Sequence, residues 1–204
     1  ANFGTSVDVD GDRAVIGAPA GLDSRVFILE RNVGNPDAWG LEDTLFNAAD
    51  SFGTVVAIDD PFLVVGAPEA NTVMAYIRNG SSWSEHGDYT GSGRLGAAID
   101  LQGPNLFVGA PEGDGALYLG GLDRATQLSA LYALTVAAAD PGGELGTTVA
   151  VQFPSLIAGA PGSNGDQGAV LVMGGEDLNL DVRQRIDDKD LPELKKPNDK
   201  DVLL

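Results

Sequence analysis

Apolar and polar residues in this chain first alternate and then run together, and they do so four times. Val7/Val9, Val56/Ile58, Ile99/Leu101 and Val149/Val151 recur at the period of two that marks a half-buried strand. A turn rich in Asp, Gly and Pro follows each pair. Next comes an almost unbroken apolar run, at residues 14–16, 63–65, 106–108 and 156–158, of the kind expected for a strand covered on both faces. The pattern therefore predicts one hairpin made four times. A third apolar stretch lies at residues 26–29, 73–77, 116–119 and 169–173, and a fourth, more polar one at 39–45, 83–89, 131–136 and 178–185.

The copies are held in phase by two short motifs. Phe3-Gly4, Phe52-Gly53, Leu95-Gly96 and Leu145-Gly146 each precede a Gly-Ala-Pro, at Gly17-Ala18-Pro19, Gly66-Ala67-Pro68, Gly109-Ala110-Pro111 and Gly159-Ala160-Pro161. The interval between the two glycines is 13 residues every time, while the units themselves start 49, 43 and 50 residues apart. A rigid unit joined by elastic linkers at this period signals a repeat architecture. Four strands per unit, with hydrophobicity falling toward the last, is the profile of a β-propeller blade. The units are approximately 1–47, 48–91, 92–140 and 141–186, followed by a charged, proline-containing stretch over 187–204 that reads as a linker or disordered end.

With these residues aligned, the units resemble FG-GAP repeats, the blades of integrin α-subunit propellers. The resemblance covers residues 3 to about 186. It implies an all-β propeller of four-stranded FG-GAP blades, with the four units forming an arc of a larger wheel or a small closed one. It also implies an extracellular, cell-surface or luminal setting, and a non-catalytic module for protein–protein interaction, adhesion or scaffolding. The alternatives are a carbohydrate-binding or accessory propeller of a secreted hydrolase, and a calcium-dependent adhesion domain.

Charge narrows the partners. The net charge is -18, and residues 1–186 carry 24 acids against 8 arginines, with Lys189, Lys195, Lys196 and Lys200 confined to the end. Such a surface repels phosphate backbones, so nucleic acid is not an expected partner. No apolar run is long enough to span a bilayer, and the absence of cysteine removes disulfides and thiolate metal sites. The chain opens on Ala1 without a leader, so it reads as a mature or trimmed product.

Candidate chemistry is sparse. Asp8, Asp10 and Asp12 alternate around Gly11 and form a weak Ca²⁺ candidate, but the loop is short and lacks a closing acid, so no cofactor is expected. His86, the only histidine, falls in an outer strand and is expected at the surface without a catalytic partner. No catalytic residues are assigned. Trp39 and Trp83, at matching places in the first two units, are expected to pack between blades. Binding is instead expected on the loops joining second and third strands, which carry Asp23, Glu69, Glu112, Asp114 and Asp166, and on the unit-to-unit links with Asp50, Asp140 and Glu144. These eight carboxylates would share one loop face that attracts a basic protein patch. The end of the chain at Val202-Leu203-Leu204 is a second place for a partner.

Overall fold

Each alternating stretch becomes the inner strand of a four-stranded antiparallel sheet. The structure, a computed structural model, describes residues 2–21, 23–128, 130–134, 140–175, 181–187 and 190. The first sheet is β1 (Ser6–Asp10), β2 (Arg13–Ala18), β3 (Arg25–Arg31) and β4 (Trp39–Phe46), and the second is β5 (Val55–Asp59), β6 (Phe62–Ala67), β7 (Thr72–Asn79) and β8 (Ser82–Thr90). The third is β9 (Ala98–Gln102), β10 (Asn105–Ala110), β11 (Ala116–Gly121) and β12 (Tyr132–Leu134), and the fourth is β13 (Thr148–Gln152), β14 (Ser155–Ala160), β15 (Ala169–Gly174) and β16 (Asp181–Asp187). Sequential strands pair throughout, so every sheet is a simple meander. The tail read from the sequence, with its lysines and Val202-Leu203-Leu204, lies outside the described residues apart from Asp187 and Asp190.

The sheets stand side by side in chain order. Their apolar faces close on one another, so that Val15, Val26 and Phe52 bury with Leu63 and Val65 between the first and second sheets, and Val64, Val73 and Leu95 with Leu106 and Val108 between the second and third. Phe107, Leu117 and Leu145 bury with Leu156 and Leu171 between the third and fourth. The two motifs meet at these junctions. A Cβ on Gly17 would lie 1.9 Å from the Gly53 carbonyl oxygen, one on Gly66 2.3 Å from that of Gly96, and one on Gly109 1.9 Å from that of Gly146. Only glycine admits so close an approach of one backbone to the next.

An inner edge strand leaves backbone N–H groups without ladder partners. Here the preceding sheet accepts some of them through side chains. Asp8 Oδ2 accepts from Ile58 N at 2.7 Å, Asp10 Oδ2 from Asp60 N at 2.8 Å, and Asp59 Oδ2 from Gly103 N at 2.7 Å. Asp100 Oδ2 accepts from Val151 N at 2.6 Å and Gln102 Oε1 from Phe153 N at 2.5 Å.

The expected propeller is corrected at this point. The chain is all-β with four four-stranded antiparallel sheets, but none of them closes on itself, and among the described residues the row stays open at both ends. Val7 and Val9 on β1 are 69% and 61% exposed, whereas their counterparts Val56 and Ile58 on β5 are 6% and 5% exposed. The alternation that predicts strands is local. Whether a row of sheets closes depends on how many there are and on the angle between them, which no short-range pattern carries.

Burial at the first junction also has a readable pH signature. Tyr76 lies buried against Phe52, with ring centroids 6.3 Å apart at 68°. Burial, assisted by the Glu85 carboxylate, pushes its phenol up to about 12. A folded-state value above the unfolded one means stability is fully present below pH about 10 and is lost as pH rises toward 12, by about 2–3 kcal/mol. Urea unfolding across that window is expected to show this fall in the wild type and a flatter profile in Tyr76→Phe. An identical slope in both would remove Tyr76 as its origin.

Candidate functional site

The loop end of the row is built from one repeated turn. The carbonyls of Asn2, Ser51, Arg94 and Glu144 accept from the N–H three residues on, at 3.2, 3.0, 3.1 and 3.2 Å. Ser51, Arg94 and Glu144 hold left-handed φ values of 63°, 61° and 55°, a region uncommon for residues other than glycine. The geometry is shared and the side chain is free to vary.

At the third sheet this variation produces a cleft. Arg94, Pro111, Glu112, Gly113, Glu144 and Thr147 enclose about 300 Å³, at the lower end for small-molecule sites. Backbone bonds lock its walls together, with Glu112 N donating to Gly93 O at 3.0 Å and Glu144 N to Gly113 O at 3.2 Å. Arg94 is anchored through its N–H to Asn71 Oδ1 at 2.7 Å and through its guanidinium to Glu69 Oε1 at 2.9 Å. The Glu144 stem lies over Gly162, where an added Cβ would come within 3.3 Å of Cγ. Arg94, Glu112, Glu144 and Thr147 thus line one opening, with the Thr147 hydroxyl donating to the Glu144 carbonyl at 2.8 Å.

The other expected site residues are distributed along the row. Asp23, with Arg25, lines a separate hollow beside Phe3 and Phe27 at the open first sheet. Glu69 is the partner of Arg94, and Asp114 Oδ1 accepts from Gly142 N at 2.7 Å. Asp140 binds the Arg185 guanidinium, which holds its carboxyl below the usual carboxylate range. Asp50 is exposed in a turn and Asp166 at the end of a short helical segment, Ser163–Asp166. Of the eight, Glu112 and Glu144 are the pair that shares the cleft. Sequence reasoning passed over Arg94 and Thr147. The available signal was position, since Arg94 and Glu144 each stand immediately before a Leu-Gly pair.

Asp8 and Asp10 spend their carboxylates on the next sheet's backbone, and Asp12 Oδ1 accepts from Arg31 Nε at 2.8 Å. Among the described residues no group of three or more histidines or carboxylates is arranged to hold a metal ion. The expected surface position of His86 is corrected. Its ring is buried beside Phe62, and Nε2 lies 2.5 Å from the Asp123 carbonyl oxygen. Trp83 packs between the first two sheets and donates from Nε1 to Glu42 Oε2 at 3.4 Å, whereas Trp39 remains exposed.

No protein-family model matches the sequence, and no curated protein does. Among solved structures, the chain is similar to that of a "putative 6-phosphogluconolactonase" from Bacteroides uniformis ATCC 8492, with a TM-score of 0.71 and 11% identity. The match covers 90% of this chain and 56% of that one, so the chain spans little more than half of that protein's length. At this identity the likeness shows the fold alone.

Several expectations drawn from the motifs fall with these findings. The chain is not identified as an FG-GAP or integrin-like propeller, because no family model supports the repeat and the fold is shared with a protein of another description. The physical reason lies in the junctions, where Phe/Leu-Gly and Gly-Ala-Pro touch each other. The motif thus reports a packing requirement. The exclusion of catalysis and the reading as a purely non-catalytic adhesion or scaffold module are withdrawn as well, since this fold also belongs to a protein described as a lactonase. A partner-binding propeller face has no counterpart in an open row. No helix among the described residues is long and apolar enough to cross a membrane.

Proposed function

We propose that this chain contributes the reaction site of a hydrolase acting on small, uncharged lactones of the sugar class. The observation that carries the reading is the cleft of Arg94, Glu112, Glu144 and Thr147, set in a fold that a lactonase-described protein shares. Glu144 is the general base. It takes a proton from water as the oxygen adds to the lactone carbonyl carbon, and the Arg94 guanidinium donates to the developing oxyanion. Collapse breaks the ring C–O bond, and the departing ring oxygen takes the proton back from Glu144, leaving an open-chain hydroxy acid. Glu112 accepts from substrate hydroxyls.

Two carboxylates at the opening and a net charge of -18 favour an uncharged substrate over a phosphorylated one. The same acidity suits an extracellular, cell-surface or luminal setting, which fractionation of a tagged protein would test. Gluconolactone and its 6-phosphate serve as probes against the spontaneous reaction in buffer. The wild type is expected to hydrolyse the uncharged lactone faster than buffer and faster than its phosphate. Glu144→Gln should lower kcat by about 10²–10⁴-fold, while Glu112→Gln should mainly raise KM. Wild-type protein that leaves the buffer rate unchanged overturns the reading.

A further inference from the structure

Among the described residues, the row of sheets shows an unfilled joint on the fourth sheet and an uncovered insert on the first. At each internal junction, the Phe or Leu before a glycine enters the preceding sheet. Phe52, Leu95 and Leu145 are buried there almost completely, but their counterpart Phe3 is 63% exposed. The receiving side shows the reverse change. Val15, Val64 and Phe107 are buried under the next sheet, while Ile157 at the same position of the fourth is 44% exposed. Val26, Val73 and Leu117 are likewise buried, and Val170 is 37% exposed.

On the side of the fourth sheet that no other described sheet covers there is a hollow of about 390 Å³, lined by Thr148, Gly159, Ala160, Val170 and Ile186 among others. Gly159 occupies the place of Gly17, Gly66 and Gly109. A Cβ there would meet only its own sheet's Thr148, with Oγ1 at 2.5 Å, and no carbonyl of a following unit. The polar fittings are in place too. In the first junction Ser6 Oγ donates to Gly53 O at 2.9 Å, and Thr148 holds the equivalent position in the fourth sheet. Gln152 stands where Gln102 accepts the Phe153 N–H one junction earlier.

We propose that the fourth sheet receives the Phe3-Gly4 segment and β1 of a second copy of this chain, head to tail, through the joint already used three times within it. Thr148 Oγ1 donates to the second copy's Gly4 carbonyl, the Phe3 ring fills the hollow against Val170 and Ile157, and Val7 and Val9 are covered. The occupant is a second copy because this chain itself presents the matching insert, with its apolar residues in water. Such a contact is heterologous, so it generates a ring or an open chain of copies.

Sedimentation velocity over a wide concentration range tests the joint, using the full chain with Phe3→Ser, which removes the insert, and Val170→Arg, which blocks the hollow. Both positions face water in the single chain, and circular dichroism checks that both variants fold. Self-association is expected in the wild type and loss of it in each variant alone. Mixing the two variants should restore a one-to-one pair and nothing larger, since only one good joint remains. A monomeric wild type, association that persists in either variant, or a mixture that stays monomeric overturns the proposal.

Discussion

Gly109→Ala is expected to destabilise the protein severely, while the same change at Gly159 does little to the fold of a single chain. An alanine Cβ at position 109 would lie 1.9 Å from the Gly146 carbonyl oxygen and 2.8 Å from its carbon, and both atoms belong to backbone held within a buried junction. Neither can yield without separating the third and fourth sheets. Forced overpacking of this kind costs about 3 kcal/mol or more, which at this chain length lowers Tm by roughly 10 °C. At position 159 the nearest atom is the Thr148 hydroxyl, which can rotate away. Thermal unfolding of the two variants side by side is the check, and equal losses would show that junction packing is not what requires glycine at position 109.

The second large effect is expected at Glu42. Its side chain is 3% exposed and accepts from Arg13 Nε at 3.0 Å and Nη2 at 3.2 Å, as well as from the Trp83 indole of the second sheet. Arg13 also reaches Glu30 at 2.7 Å and Asp60 at 3.5 Å, and Asp60 in turn pairs with Arg78 at 2.6 Å. Hydrogen bonding to Arg78 holds the Asp60 carboxyl below its ordinary value despite partial burial. Glu42→Ala leaves the half-buried guanidinium short of its best-shielded partner and the indole N–H without an acceptor. Chemical denaturation should register a loss of about 3 kcal/mol. Replacing the pair together, as Arg13→Met with Glu42→Leu, should recover much of it, because no buried charge is then stranded. A loss within about 0.5 kcal/mol for Glu42→Ala would place this network among inconsequential surface pairs.

Both expectations depend on contacts between sheets, and there the sequence was only partly legible. The alternation at Val7/Val9 and its three counterparts placed the inner strands, and the apolar runs after the turns placed their partners, because a strand's pleat imposes its period directly on the residues. Glu112 and Glu144 were legible as loop acids, but not as neighbours in one cleft with Arg94. Proximity there arises from two successive units, the third and the fourth, brought together over about fifty residues of chain. His86 misled for a similar reason. An outer strand of an isolated sheet faces water, yet the 121–128 segment folds back over this one, and Leu128 N donates to His86 O at 2.8 Å.

The repeated hairpins, the four-stranded units and the glycines that let them approach were readable from the chain, since each follows from the stereochemistry of a few adjacent residues. Contacts between sheets made the described sheets an open row, gave Asp8 and Asp10 to the next sheet's backbone, and brought Arg94, Glu112 and Glu144 to one cleft. Those outcomes are set by the angle and spacing between sheets, which are sums over many weak contacts and leave no mark on any short stretch of chain.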